Sequence, residues 1–540
     1  MLSINRSHYS AAGSMLVWRR HKTQNILYLE CIRTGVGVPL YSIIFSDDAE
    51  FSLTPAYLEM RDNGVTVRMC MNGRSGTVIS GSGKLTLHSP ERGNVYNASY
   101  IVNTINRIKI CEYAIGGFNY FASVKGKVVP DGKKKVGEVS YDSIEIHILP
   151  DENGEFEFLL EHTQSDIPTM PQLSFDENVA ALSSDFGKWA QKLECRTEYD
   201  IEHAYVLWSN TIGKTDNYPD GGIVMSKSGM SNIWSWDNCF NALDLAKCDP
   251  ETALVQFMIP YRHLDKCGRA PDSIAPTERI NREFVKPPIQ GWIYCRMMER
   301  NSYFSSHDVL AEVYFPMKRN TDWWLNFRGE TPSYHHGNDS GADNSTSFDA
   351  GIHIETPELA AFLSVQCALL ADIAERLGMA TDRHTYKRLS DELCEKANRN
   401  YFDGRLFVRD GVTGKPHYCD SLLPLRMIVL GSRLSDDIRK YITKSVRDNF
   451  VCSHGIASEA HNSHMFNEDG YWRGAAWGPD QVFFVLSLRE MGEYELVDRI
   501  AVGYKRALEA NGFSENHAPI SGKGQRCRSY TWSANAYNII

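Results

Sequence analysis

The chain has 540 residues, enough for two or three compact units, and its 42% hydrophobic, 11% aromatic and 23% charged side chains exclude intrinsic disorder, a collagen-like repeat and a small disulfide scaffold. A net charge of −10, from 57 basic and 67 acidic residues, argues against a protein that lives on nucleic acid phosphates. The first ten residues lack the apolar core of a secretory signal, no unbroken apolar run reaches the roughly 18 residues of a membrane span, and the 13 cysteines contain no C-x-x-C pair. The expectation is a cytoplasmic protein with no membrane and no nucleic acid partner.

Up to about residue 165 the hydrophobic period is two. Val65, Val67, Met69 and Met71 alternate with Thr66, Arg68 and Cys70, and Ile144, Ile146 and Ile148 alternate with Glu145 and His147. This puts one strand face on a core and the other in water. Asp62-Asn63-Gly64 reads as a hairpin turn, because Asn-Gly accepts the positive φ values of a type I′ turn. Residues 76–85, GTVISGSGKL, look like a phosphate loop but carry Val78 and Leu85 where such a loop needs Gly and Ser or Thr, so a hairpin is expected there. Residues 1–165 are predicted to form an antiparallel β-sandwich, and residues 166–175, with Pro168 and Pro171, a linker.

From about residue 176 the period becomes helical. Leu359, Phe362, Leu363, Leu370, Ile373 and Leu377 form one stripe, opened by Thr356-Pro357 and closed by Gly378. Leu310, Val313, Tyr314, Met317 and Trp324 form another, Ser435 precedes Ile438, Tyr441, Ile442 and Val446, and similar segments begin near residues 199, 236, 251, 290, 383, 480 and 494. About a dozen helices over residues 176–540 suit a closed ring of helix pairs.

Aromatic and acidic residues gather in the loops of this region. They include Trp234-Ser235-Trp236-Asp237, Asp272, Lys286-Pro287-Pro288-Ile289-Gln290-Gly291-Trp292, Asp339-Ser340-Gly341-Ala342-Asp343, Tyr471-Trp472-Arg473-Gly474 with Trp477, and Glu515-Asn516-His517-Ala518-Pro519. Indole faces stack on sugar C–H faces, while carboxylates, Lys, Gln and Arg bond hydroxyls, and loops held by rigid helices are where such groups converge. A single Trp is more often core than ligand wall; six such loops in one region point to a small carbohydrate substrate.

In order and spacing these segments resemble the (α/α)6-barrel glycosidases, closest to glycoside hydrolase family 63, with its α-glucosidases and mannosylglycerate hydrolases, and related to trehalases. The resemblance covers about residues 200–540 and implies a multidomain α and β chain, the β-sandwich followed by an (α/α)6 barrel over 176–540. It implies an inverting hydrolase of an α-glucosidic linkage, with Asp343 as general acid, Glu515 as general base and no metal or organic cofactor. Inversion needs a protonated carboxyl at the leaving oxygen and an ionised one holding water on the opposite face, roughly 6.5–9.5 Å apart. Asp339 is the rival for the acid, and Trp234, Trp236, Asp237, Asp272, Lys286, Gln290, Trp292, Asp339, Trp472, Arg473, Trp477 and Trp532 are the expected substrate-binding residues. A mannosylglycerate, glucosylglycerate or trehalose-type hydrolase is the near alternative; a sugar epimerase or lyase on a helical toroid, or a catalytically silent sugar-binding protein, are the distant ones. His335-His336 with Asp339 lacks the spacing of a metal site.

Overall fold

The computed structural model describes residues 2–90, 99–104, 107–112, 116–134, 141–168 and 173–540. Two antiparallel sheets account for the period of two. One has six strands in the spatial order Leu16–Arg20, Ile26–Cys31, Val38–Ile44, Leu85–His88, Tyr141–Leu149 and Lys127–Lys134. The other has eight, in the order Glu50–Leu53, Leu58–Asp62, Val65–Asn72, Gly76–Ser82, Glu155–Thr163, Gly117–Lys125, Arg107–Glu112 and Ser99–Thr104. The inward residues, among them Val67, Met69, Ile79, Ile146, Phe156 and Phe158, form one apolar core. The Asn63-Gly64 turn joins paired strands with φ of 47° and 78°, as a type I′ turn requires.

Two expectations change here. Gly76–Ser82 and Leu85–His88 lie in different sheets, so residues 76–85 carry the chain across the sandwich instead of forming a hairpin. Cys70, expected in water, is buried with Val78, Leu159 and Phe175, because the first helix covers that face of the larger sheet. Residues 169–172 of the expected linker, Pro171 included, lie outside the described residues.

The helices follow. Ser174 and Thr197 start α1 (Phe175–Lys192) and α2 (Glu198–Ser209) with capping boxes. Both pack into the sandwich core through Phe186, Ala190, Tyr205 and Trp208, so the change of rhythm near residue 165 precedes the division into compact units. Those units are Met1–Ser231 with Ala275–Glu278, and Asn232–Ile274 with Arg279–Ile540.

The second unit contains α3 (Asp237–Leu245), α4 (Pro250–Arg262), α5 (Gln290–Arg300), α6 (His307–Phe327), α7 (Pro357–Arg376), α8 (Ala380–Arg399), α9 (Asp436–Ser445), α10 (Gly478–Glu490), α11 (Tyr494–Asn511) and α12 (Thr531–Ile539). Six segments close a ring: α3 touches α5, α5 touches α7, α7 touches the 3-10 segment Leu423–Arg433, that segment touches α10, α10 touches α12, and α12 returns to α3. α4, α6, α8, α9 and α11 pack outside. α7 is long and apolar enough to cross a membrane, but 83% of its apolar stretch is buried, as an inner helix of the ring should be. The loops leading into the N-termini of α3, α5, α7, α10 and α12, together with the first turns of those helices, carry the expected site residues.

Candidate active site

Asp343 lies between α6 and α7 in a loop wound tightly enough to require glycine twice. Gly341 has φ +70°, and a Cβ there would sit 2.6 Å from the Trp236 ring; at Gly337 a Cβ would meet the Asp343 carbonyl oxygen at 2.1 Å. Asp339 anchors this loop. One carboxylate oxygen accepts the Val285 N–H (3.1 Å); the other accepts the His335 N–H (3.0 Å) and the Arg328 guanidinium. Both oxygens thus have partners that hold the loop in place. Asp343, by contrast, is only partly buried, and its Oδ2 accepts a hydrogen bond from the Tyr471 hydroxyl at 3.2 Å.

Glu515 is fixed by backbone pairing. The next residues, Asn516–His517, form a short strand between Ala476–Trp477 and Gly524–Gln525, with Asn516 opposite Trp477. The Glu515 N–H donates to the Cys527 carbonyl (2.7 Å), the Cys527 N–H donates to Glu515 Oε2 (3.3 Å), and Trp532 Nε1 donates to the Glu515 carbonyl (2.6 Å).

The two carboxyls share one electrostatic neighbourhood. Burial pushes the Asp343 carboxyl above its ordinary value, Lys286 and the Tyr471 hydrogen bond pull it back, and Asp272 pushes it further. Burial also raises Glu515; the Cys527 bonds and Arg526 oppose that, and the Asp343 charge adds to it. Asp237 belongs to the same group: burial pushes it up to about 7, with Lys286 and Tyr530 opposing and Glu515 reinforcing. Its Oδ1 accepts from the Tyr530 hydroxyl at 3.0 Å. Lys286 Nζ is 3.2 Å from Asp272 Oδ1 and donates to the Asn338 carbonyl at 2.9 Å, so Asp237, Asp272, Lys286, Asp343 and Glu515 come together.

The tryptophans divide. Trp472 and Trp477 stack at 4.0 Å and 4°, while Trp236 and Trp532 meet them at 5.5–6.1 Å. Trp236 also meets Trp532 edge-on at 5.8 Å. All four are at most 4% exposed. They form a packed aromatic block, with Arg426 lying 5.1 Å from Trp472 and 5.7 Å from Trp236. Trp292 is not brought there: it is buried against Phe483 and Arg296 inside the ring. Trp234 remains half-exposed, on a strand whose partner residue is Ser273, next to Asp272. Of the expected tryptophans it has the most ring surface free for a ligand.

Two polar residues expected to bind substrate hold backbone. Gln290 Nε2 donates to the Ser235 carbonyl (3.0 Å), fixing the loop before α3. Arg473 donates to the Asn344 carbonyl (2.7 Å) and pairs with Asp349 (2.5 Å), because its loop crosses the Asp343 loop there. Asn344 completes that clamp by accepting the Trp472 N–H (2.9 Å) and donating to the Gly470 carbonyl (3.1 Å). His335 packs against His353 and His336 against Phe284; among the described residues no group of three or more His, Cys, Asp or Glu side chains is arranged to hold a metal.

Sequence reasoning missed Tyr471, Tyr530, Arg526 and Arg426 as members of the site. Arg426 had a visible signal, a lone charge inside the apolar run Leu422–Leu430. It forms a buried two-point pair with Asp480 of α10 (2.7 and 3.2 Å). Tyr471 and Arg526 have φ of 64° and 62°, and Ser529, just before Tyr530, has φ of 50°; these are the described non-glycine residues of this unit in the left-handed region. Such conformations cost roughly 1–2 kcal/mol each and cluster where side chains must be aimed. A partly exposed carboxyl and a buried one, within a shared field and beside a packed aromatic block, are the parts that acid–base cleavage of a glycoside needs.

A family model of the mannosylglycerate hydrolase MGH1-like glycoside hydrolase domain matches residues 230–533. Among solved structures, the GH63 mannosylglycerate hydrolase from Thermus thermophilus in complex with Tris is similar at 15% identity and TM-score 0.55, over 63% of this chain and 98% of that one. The same enzyme in complex with glucose gives 16% and 0.53, over 63% and 98%. A bacterial glucoamylase in complex with acarbose gives 13% identity and TM-score 0.68, over 99% of this chain and 93% of that one. At these identities the likeness is one of fold, an (α/α)6 barrel preceded by antiparallel sheets. The uncharacterised protein YMR196W of Saccharomyces cerevisiae is 31% identical over 123 residues, 21% of this chain, and the match spans 11% of that protein's length.

Proposed function

Since the chain belongs to the mannosylglycerate hydrolase MGH1-like glycoside hydrolase family, we propose that it is an inverting glycosidase cleaving an α-glucosidic linkage in a small oligosaccharide or glucoside, with Asp343 as general acid and Glu515 as general base. The observation that carries this reading is the pairing of a partly exposed Asp343, raised by burial, with a Glu515 that feels its charge. Asp343 gives its proton to the glycosidic oxygen as the anomeric C–O bond breaks. Water bonds to the anomeric carbon from the opposite face and passes a proton to Glu515. Asp237, Asp272 and Lys286 offer acceptors and a cation for ring hydroxyls, and the half-exposed Trp234 an apolar face.

A glycosylglycerate is the second reading, favoured by the name of the matching family and by the mannosylglycerate hydrolase fold relative. The test is a panel of α-linked glucose disaccharides, trehalose, glucosylglycerate and mannosylglycerate, followed by sugar and glycerate release. Wild type is expected to hydrolyse at least one member, and D343N and E515Q to lose about 10²–10⁴-fold in turnover. No hydrolysis of any member, or wild-type turnover by either variant, refutes the proposal.

A further inference from the structure

Tyr471 is the only described side chain with a hydrogen bond to the Asp343 carboxyl. Its position is over-determined. The backbone is in the left-handed region at φ +64°. The ring meets Trp477 edge-on at 4.9 Å and has the Arg526 guanidinium 5.6 Å from its centre. Its carbonyl accepts from Trp477 Nε1 at 3.2 Å. The Asn344 and Arg473 contacts then tie this loop to the Asp343 loop through the residues next to Tyr471 and Asp343. A non-glycine residue does not hold such a conformation without compensation, and the compensation here is spent on aiming one hydroxyl.

We infer that Tyr471 is the positioning residue for the proton-donating step: its hydroxyl holds Asp343 by Oδ2 and leaves Oδ1 to carry the proton toward the glycosidic oxygen. The inference rests on the reading of Asp343 as the acid. In the step itself the proton leaves Oδ1 for the leaving oxygen, the C–O bond breaks, and the carboxylate that remains is stabilised through Oδ2 by the phenol. A hydrogen bond to the charged form favours that form, so Tyr471 makes Asp343 a stronger acid than its burial alone would allow. The groups acting on Asp343 are Lys286, Asp272, His336, Tyr471 and Glu515; those acting on Tyr471 are Asp343, Glu515 and Asp237, three carboxyls that together with burial keep the phenol protonated and a donor.

The experiment compares wild type, Y471F and D343N by two readouts. The first is the pH dependence of kcat on the panel above. Y471F removes one oxygen, so thermal unfolding should stay near wild type while the alkaline limb of kcat moves up by about one pH unit and the plateau falls by about tenfold. The second needs no substrate: the carboxyl C=O infrared band that D343N abolishes should persist about one pH unit higher in Y471F, at an altered frequency. If D343N is inactive but the limb and the band of Y471F match wild type, Tyr471 is a packing residue and the inference falls while the acid assignment stands. If D343N turns over like wild type, the acid assignment falls and takes this inference with it.

Discussion

Replacing Asp339 by Asn separates the two aspartates of the Asp-Ser-Gly-Ala-Asp segment by their physical roles. Asp339 and Arg328 form an ion pair whose side chains are 4% and 8% exposed. The guanidinium packs 5.4 Å from Trp323 and 5.1 Å from Trp324, where water cannot take over as its partner. The amide keeps the volume and one acceptor but loses the charge, leaving a buried cation unpaired. Removing one partner of such a pair costs about 3–5 kcal/mol, a large share of the roughly 5–15 kcal/mol that holds a domain folded. The unfolding midpoint should drop by roughly 5–8 °C. Calorimetry reads the midpoint, and hydrolysis at about 20 °C, well below it, reads turnover. D339N should keep kcat within about tenfold of wild type while D343N loses about 10²–10⁴-fold. A double change, R328M with D339L, should recover most of the midpoint, since apolar residues of similar volume often replace a buried pair without loss. A D339N protein with wild-type midpoint and the turnover of D343N would refute the reasoning and make Asp339 the acid.

Glu358, fully buried on α7, has its carboxyl pushed up to about 7 by burial against the opposing Thr356 hydroxyl. Between about pH 4.5 and 7 the folded protein keeps a proton that the unfolded chain has released, so the stability present below about pH 4.5 declines as pH rises to about 7. E358Q removes that slope: in urea titrations it should match wild type near pH 4.5 and exceed it by roughly 3 kcal/mol at about pH 8, and an unchanged slope would exclude Glu358 as its source. R473A breaks a half-exposed pair with Asp349, so unfolding should change by no more than about 1 kcal/mol while kcat falls about tenfold as the Asp343 loop loosens; unchanged kcat would leave the clamp without a catalytic role. W472A, opening the stacked block, should cost about 3–5 kcal/mol of stability, whereas W234A should leave the midpoint near wild type and raise KM about tenfold. Equal effects of the two on stability would contradict the division between packed and ligand-facing tryptophans.

The period of two and the helical stripes were readable because burial repeats along an element. The expected helix starts near 199, 251, 290 and 494 lie within a residue of the observed ones, each marked by a cap, a Pro or an apolar stripe. The segment Leu423–Arg433 gave no such stripe: it winds as a 3-10 helix with Gly431 at φ +57°. Residues 76–85 misled because Gly-rich chain serves a crossing between sheets as well as a hairpin. In the site, spacing identified which loops matter but not which way side chains turn within them. Asp339 and Asp343 differ in what faces them, Arg328 and two backbone N–H groups at the first and the Tyr471 hydroxyl at the second, a fact of tertiary structure. Arg473 and Gln290 are polar residues in ligand-like company that close loops on one another. Tyr471 stood in a recognised segment, yet its aim depends on a left-handed backbone that a tyrosine codon does not announce.

The central claim is that one carboxyl delivers a proton while the other drives water onto the far side of the same sugar ring, and the stereochemistry of the first product molecule records it. Proton NMR of a fresh digest of the best α-linked substrate, read before mutarotation, should show the β-anomer appearing first, with the α-anomer growing later at the spontaneous rate. Immediate release of the α-anomer would mean that configuration is retained through a covalent intermediate, and the roles given to Asp343 and Glu515 would be wrong.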